Sequence, residues 1–180
     1  MKDISLHILD IAQNSVSAGA KNILISIDEN ISEDTFTIEI DDDGSGMSEE
    51  VVAKVSDPYF TSRTTRHVGL GIPLFKQNAL MSGGSFHIKS TVGKGTIVTA
   101  VFTHSHLDRP PLGDMPGVIM MLCASNLTID FVYTHRVNKK VYVFDTKEVN
   151  EILEGMPIND PAVLRELKQM IRENLKELKT

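Results

Sequence analysis

Two neighbouring stretches in which apolar and polar residues alternate constrain the fold of this chain more than any other feature. Residues 21–29 read KNILISIDE and residues 35–42 read TFTIEIDD, and the polar segment ENISED joins them. Alternation over such a length is typical of β-strands. The two stretches therefore predict a β-hairpin.

Helical segments are predicted on both sides of this hairpin. Apolar residues cover most sides of a helix over residues 4–18, which Gly19 ends. Ser48 is a suitable N-cap for a short helix in EEVVAKVS, and residues 69–82 predict a third helix. SFHIKSTV and TIVTAVFTH flank the sequence GKG and predict a second hairpin.

The character of the sequence changes near residue 106. Residues 106–116 (HLDRPPLGDMP) hold three prolines and a glycine between two β-rich segments, which predicts a linker. We therefore expect one domain over residues 1–105 and a small α+β annex over residues 117–180. The annex holds the apolar segment VIMMLCA, a hairpin formed by DFVYTH and KVYVFD, a short helix from Thr146 and a last helix from Asp160.

One apolar stripe runs along the last helix, formed by Leu164, Leu167, Ile171, Leu175 and Leu178. Such a stripe has two interpretations. It binds a protein partner or a second copy of the chain, or it packs back on its own domain.

Composition excludes several classes of protein. The net charge of -6, from 18 basic and 24 acidic residues, argues against nucleic acid as a partner. The single cysteine, Cys123, lies in an apolar run and permits no internal disulfide, which favours a reducing cytoplasm. The N-terminus lacks the basic flank of a signal peptide, and no apolar run is long enough for a membrane span. We expect a cytoplasmic protein.

Polar residues form a stripe on the first helix. His7, Asp10, Asn14 and Ser17 follow one another at intervals of three, four and three, so they share one face of an otherwise apolar helix. A buried polar stripe would indicate a ligand, a metal or a water network. The other interpretation is an exposed helix whose polar face meets solvent.

Two glycine-containing segments are candidates for ligand contact. DDGSGM, residues 42–47, follows a strand directly, and its glycines would let the backbone approach a ligand closely. Gly69-Leu70-Gly71 opens a helix, where bare N–H groups and the positive helix end favour phosphate. Leu74 replaces the third glycine of the dinucleotide fingerprint, and no P-loop lysine motif occurs, so both of those sites are excluded.

The order and spacing of these segments resemble the nucleotide-binding site of the GHKL superfamily, which contains gyrase, the large heat-shock chaperones, histidine kinases and the MutL-type mismatch-repair ATPases. The resemblance covers residues 4–102 and rests on D-I-A-Q-N-S, D-D-G-S-G-M, D-P-Y-F-T-S-R, G-L-G-I and G-K-G-T. It implies an α+β fold, a two-layer α/β sandwich with helices on one face of a mixed sheet, to which the annex would be added.

The resemblance also implies a site for ATP and Mg²⁺. Asn14 would bind the magnesium ion and Asp42 would accept a hydrogen bond from the adenine amino group. Thr96 would support the adenine through Asp42 or a water molecule. The other residues implied in nucleotide binding are Gly44, Gly46 and Met47 at the base, Gly69, Leu70 and Gly71 at the phosphates, and Thr61 and Arg63 in a short lid. That lid has an alternative interpretation as a solvated basic loop.

Asp10 departs from the pattern of the hydrolysing branches, in which a glutamate at this position orients the attacking water. Aspartate is one methylene shorter, so hydrolysis would require a closer helix or a second water. The resemblance therefore implies a magnesium-dependent ATPase or a nucleotide-gated switch acting on a protein partner. A protein kinase of the histidine-kinase or anti-sigma-factor type and a nucleotide sensor without turnover are the alternatives.

Overall fold

The computed structural model describes residues 3–55 and 71–180. The helices in these ranges are α1 (Ile4–Ser17), α2 (Glu49–Val55), α3 (Gly71–Met81), α4 (Met115–Ser125), α5 (Thr146–Ile152) and α6 (Pro161–Leu178). The strands are β1 (Asn22–Asn30), β2 (Thr35–Asp42), β3 (Ser85–Thr91), β4 (Gly95–Thr103), β5 (Asp130–Val137) and β6 (Lys140–Asp145).

These strands form one mixed sheet in the order β3-β4-β2-β1-β5-β6. Neighbouring strands run antiparallel except for β1 and β5, which run parallel. In the predicted hairpin of β1 and β2, Ile23 pairs with Asp42 and Glu29 pairs with Phe36. These two pairs mark opposite ends of the hairpin, which we call the Asp42 end and the Glu29 end of the sheet.

One face of the sheet is buried, because alternate residues of its central strands pack against helices. Ile23, Ile25 and Ile27 of β1 are almost fully buried, whereas Leu24 on the opposite face is 43% exposed. Helices α3, α1, α4 and α6 lie side by side and form the second layer of the core. This arrangement confirms the predicted α+β sandwich with helices on one face of a mixed sheet.

Local sequence signals explain where α1 begins and ends. The Asp3 carboxylate accepts from the Leu6 N–H at 3.1 Å and so caps the first turn. Gly19 follows the helix with a φ of +76°, the left-handed conformation that glycine adopts most readily after a helix. The first residue of α1, Ile4, is the first residue of the predicted helix.

The segment after residue 106 continues the same sheet. β5 pairs with β1 over eight positions, from Asn22 with Asp130 to Glu29 with Val137. The predicted linker contacts the start of α1, because the Ile4 N–H donates to the Pro111 carbonyl at 2.9 Å. The predicted boundary at residues 106–116 therefore falls within one sheet and one hydrophobic core.

The apolar segment VIMMLCA, to which no secondary structure is assigned from the sequence alone, is helical and belongs to α4. Asp114 caps this helix by accepting from the Gly117 N–H at 3.1 Å, and Pro116 lies in its first turn. A short apolar run does not by itself distinguish a buried strand from a buried helix. Cys123 is buried in this helix, and burial raises the pKa of its thiol to about 12.

The last helix begins as predicted and packs within the chain. Asp160 accepts from the Ala162 N–H at 2.8 Å, and Pro161 is the first helical residue. The apolar stripe of α6 faces α4 and the sheet, and Ile171 is fully buried. The structure thus supports the second interpretation of that stripe, packing on its own chain.

Candidate functional site

A buried carboxylate at the end of β2 organises the candidate site. Asp42 is 7% exposed, and its Oδ2 accepts from the Ser15 hydroxyl of α1 at 2.6 Å. Its Oδ1 accepts from the Gly44 N–H at 2.9 Å. A carboxylate has about four acceptor positions, so two neutral donors leave it able to accept from a further donor.

Glycines let the segment after β2 lie against the turn between β3 and β4. Gly46 has a φ of +65°, and a Cβ at this position would overlap the carbonyl of Thr91. At Gly95, with a φ of +113°, a Cβ would overlap the carbonyl of Asp42. The Gly93 N–H donates to the Ser45 carbonyl at 2.7 Å and joins the two segments. Larger residues at either glycine would push the two backbones apart.

Ser90 of β3 joins this segment to Thr96. Its hydroxyl accepts from the Met47 N–H at 2.8 Å and donates to the Gly95 carbonyl at 3.0 Å. The Thr96 hydroxyl lies 2.8 Å from the Ser90 hydroxyl oxygen. Thr96 also pairs with Asp42 across β2 and β4. Ser90 therefore fixes both Met47 and Thr96 beside the buried carboxylate.

These residues surround a cavity of about 190 Å³. Five predicted site residues line it: Asn14, Asp42, Gly46, Met47 and Thr96. Most of the remaining wall is apolar and includes Ile11, Ile72 and Val98. Apolar walls with a few convergent polar groups are typical of small-molecule sites.

Asp10 lies one turn before Asn14 on α1 and contacts the start of α3. A Cβ at Gly71 would overlap the Asp10 carboxylate, so only glycine permits this approach. The Asp10 Oδ2 atom is shielded from solvent and has no hydrogen-bond partner among the residues that the structure describes. Burial raises the pKa of this carboxyl. An unpaired buried acceptor beside an open site is a place where a water or ligand donor would bind.

His7, the first residue of the polar stripe, is part of the packing of α1. It is 1% exposed, and its ring stacks on Phe75 with centroids 5.1 Å apart. Its Nε2 lies 2.9 Å from the Asn78 amide nitrogen, and burial lowers its pKa. Asn14 and Ser17, at the other end of the stripe, are exposed. The stripe is therefore buried at His7, half-buried at Asp10 and exposed at Asn14 and Ser17.

Four predicted site residues, Thr61, Arg63, Gly69 and Leu70, lie outside the described residues. Their assignment to the lid and to the phosphates stays a prediction.

The donor set suits a magnesium ion that a nucleotide brings with it. Within residues 3–55 and 71–180, no three His, Cys, Asp or Glu side chains cluster so as to hold a metal. Mg²⁺ commonly binds one or two protein oxygens together with substrate phosphates and water. The Asn14 side-chain oxygen, at the cavity one turn from Asp10, fits such a role.

None of the described helices is long and apolar enough to cross a bilayer.

Comparison with known families agrees with this geometry. Residues 2–106 match the model of the histidine kinase-, DNA gyrase B- and HSP90-like ATPase family. The chain belongs to this family. The match confirms the predicted superfamily and supports ATP binding by this domain.

Among curated proteins, the chain is 34% identical to sporulation kinase D of Bacillus subtilis over 92 residues, which are 51% of this chain and 18% of that protein. It is 34% identical to the sensor protein SrrB of Staphylococcus aureus over 101 residues, 53% of this chain and 17% of that protein. The chain thus spans less than a fifth of the length of these two relatives.

Two solved structures with a similar fold align over most of this chain. The N-terminal domain of a DNA repair protein aligns with a TM-score of 0.56 and 17% identity, over 79% of this chain and 52% of that one. The MutL ATPase domain of Aquifex aeolicus, complexed with ADP, aligns with a TM-score of 0.51 and 13% identity, over 86% and 70%. At these identities the likeness shows the shared fold.

Two residues that sequence reasoning missed, Ser15 and Ser90, hold the site together. Ser15 had a signal: it lies four residues after Ile11, on the apolar face of α1, where a hydroxyl needs a buried partner. Ser90 had none, because Met47, whose N–H it accepts from, is 43 residues away in the chain.

Proposed function

We propose that this family member is a magnesium-dependent ATPase or nucleotide-gated switch that acts on a protein partner. The observation that carries the proposal is that α1 is linked to two carboxylates. Its Ser15 binds Asp42, and Asp10 is one of its own residues. Asp42, held by Ser15, lies at the cavity. The Asp10 carboxylate, whose Oδ2 has no hydrogen-bond partner within the described part of the chain, lies against Gly71. One helix therefore supplies groups to both halves of a nucleotide site.

In this proposal the adenine amino group donates to Asp42, while Met47 packs on the base and Gly44 and Gly46 allow its approach. Thr96 supports the same edge through a water. A magnesium ion on Asn14 would neutralise charge on the phosphates. The phosphates would lie along Gly69, Leu70 and Gly71, with Thr61 and Arg63 closing over them.

Asp10 is the proposed base for the attacking water. A raised pKa makes a carboxylate a better proton acceptor, and burial moves the Asp10 pKa in that direction. The absence of a side chain at Gly71 lets the carboxylate approach the start of α3. This close approach compensates for the shorter reach of aspartate, which has one methylene fewer than glutamate.

Assay of the purified chain with Mg²⁺ and radiolabelled ATP distinguishes the proposal from its alternatives. Release of phosphate by the chain alone supports the ATPase. Transfer of label to a protein, in place of release, would support a kinase, the activity that the name of sporulation kinase D indicates for that relative. Tight binding with neither release nor transfer would support a sensor.

The proposed protein partner, or a second copy of the chain, would contact the segment of residues 117–180. The apolar stripe of α6 is used within the chain, so the contact would involve other residues. Ile152 and Met156 near the end of α5 are apolar and 80% and 55% exposed. Alanine at both positions should weaken the capture of a partner without changing ATP affinity; lost ATP affinity would contradict this assignment.

A further inference from the structure

A second cluster of polar side chains lies at the Glu29 end of the sheet, away from the candidate nucleotide site. Glu29 of β1 is buried on the same face as Ile27. Its Oε1 accepts from the His135 Nε2 at 2.7 Å and lies 3.4 Å from the Lys179 Nζ. Its Oε2 accepts from the His104 Nε2 at 3.1 Å. One carboxylate thus binds three side chains that carry or can take up a positive charge.

The three partners come from distant parts of the chain and differ in exposure. His135 belongs to β5 and is 1% exposed, whereas His104 follows β4. Lys179 follows α6 directly, and 56% of its side chain is exposed. Behind His135, the Tyr133 hydroxyl lies 2.8 Å from the His135 Nδ1. The cluster therefore ties the end of α6 to the sheet.

Most groups that face the cluster keep their charge between pH 5 and 8. Burial alone would raise the pKa of Glu29, but hydrogen bonds from His135 and His104 and the charge of Lys179 lower it to about 2. Burial raises the pKa of Tyr133, and raises that of Tyr142 to about 12.

Further charged groups lie around the cluster, and one of them is Arg109, whose Nε donates to the His104 carbonyl at 2.8 Å. Hydrogen bonds from Ser105 lower the pKa of Asp34, a second carboxyl that interacts with His104. Lys139 and Lys140 line the same depression as Lys179. Imidazole is the type of side chain whose charge changes near neutral pH, and the cluster holds two of them.

We propose that His104 and His135 form a pH-dependent clamp that holds Lys179 and the C-terminal end of α6 when the imidazoles are neutral and releases them when the imidazoles are protonated. His135 and Lys179 share one oxygen of Glu29. A protonated His135 places two cations on that oxygen, and a protonated His104 adds a third beside it. The contact between Glu29 and His135, which is the shortest and most buried of the three, persists. The exposed Lys179 side chain separates from Glu29.

The contact between His135 and Tyr133 explains why the histidine stays. Neutral His135 accepts from the Tyr133 hydroxyl at Nδ1, and protonated His135 donates to the same oxygen. The 2.8 Å contact can therefore persist in both states with its hydrogen-bond direction reversed. Release is confined to the end of α6, because Leu178 is buried and the Lys140 Nζ also donates to the Glu177 carbonyl at 3.4 Å.

Amide hydrogen exchange of residues 175–179 tests the clamp in the full chain. After correction for the intrinsic effect of pH on exchange, we expect protection to fall about fivefold from pH 8 to pH 5.5, near the upper limit for an exposed ion pair. The double variant His104→Gln with His135→Gln keeps N–H donors that do not titrate, and its protection should not change. His87→Gln, an exposed histidine of β3, is the control and should behave like the parent.

Lys179→Met tests the same idea without altering the buried residues. Its protection at residues 175–179 should be low at both pH values and should not depend on pH. Constant protection in the parent, or an undiminished fall in Lys179→Met, would overturn the proposal.

Discussion

The Asp42 end and the Glu29 end of the sheet each hold a buried carboxylate at the end of a strand, yet their surroundings differ. Asp42 accepts from two neutral donors, the Ser15 hydroxyl and the Gly44 N–H, beside a cavity. Glu29 is held by two imidazoles and one ammonium group. The first arrangement leaves negative charge and acceptor positions for a ligand, while the second neutralises the charge within the chain. Burial of a carboxylate therefore marks a ligand site only when its partners are few and neutral.

The largest effect is expected at Asp10, which extends the Asp42 end toward the phosphates. Asp10→Asn should slow phosphate release about 100-fold, the usual scale for losing a general base, with ATP affinity within a few-fold of the parent. Asp10→Glu restores the missing methylene and should equal or exceed the parent. Steady-state phosphate release measures both variants. A parent that turns over ATP and an Asp10→Asn variant that is equally fast would eliminate Asp10 as the base.

The Glu29 end should contribute to the pH dependence of the free energy of unfolding. The folded pKa of Glu29, about 2, lies below its ordinary value of 4.5, so its contribution is present above pH 4.5 and is lost as pH falls toward 2. We expect the parent to lose about 2 kcal/mol of unfolding free energy relative to Glu29→Gln over this interval, after allowance for the exposed partners. Urea unfolding at pH 7, 4, 3 and 2 provides the measurement. A constant difference between the two proteins would show that Glu29 is not stabilised in its charged form.

At the Asp42 end, Asp42→Asn should weaken ATP binding roughly tenfold, which corresponds to about 1.4 kcal/mol. An amide can turn a donor toward the adenine amine and leave a buried polar group unmatched. Asp41→Asn is a matched control, because Asp41 is the adjacent residue and points to the opposite face of the sheet. Calorimetric titration should find the control equal to the parent; equal affinity of all three proteins would refute the adenine assignment.

A smaller effect is expected from Ser15→Ala, which removes the hydroxyl that positions Asp42. Loss of one hydrogen bond costs about 1 kcal/mol, so ATP should bind roughly fivefold more weakly. Ser17→Ala removes a hydroxyl of the same helix that is exposed and donates to the Gln13 carbonyl at 2.9 Å. The same titration should leave Ser17→Ala unchanged. If the two serine variants bind alike, Ser15 has no positioning role.

Elements with local signals were predicted closely from the sequence. The second strand, predicted over residues 35–42, is β2 (Thr35–Asp42), because its alternation and the flanking polar residues are local features. The caps Asp160 and Gly19 likewise act on the backbone within one turn. The order of the glycine segments then sufficed to identify the superfamily.

Features that depend on distant residues were not predictable in this way. The parallel pairing of β5 with β1 joins Asn22 to Asp130, and no local pattern states which strand will be its neighbour. The same holds for the bond between Ser15 and Asp42. Glu29 carried a partial signal, since it continues the buried alternation of Ile25 and Ile27, but its histidine partners lie 75 and 106 residues away.

The central claim is that the Asp42 end binds ATP with magnesium, and calorimetry of the purified chain tests it most directly. Titration of ATP and of adenosine, each with Mg²⁺ and again with a chelator, separates the base from the phosphates. We predict that both ligands bind with Mg²⁺ present and that chelation weakens ATP more than adenosine, because Asn14 acts through a metal on the phosphates. Absence of ATP binding, or equal weakening of both ligands, would contradict the account.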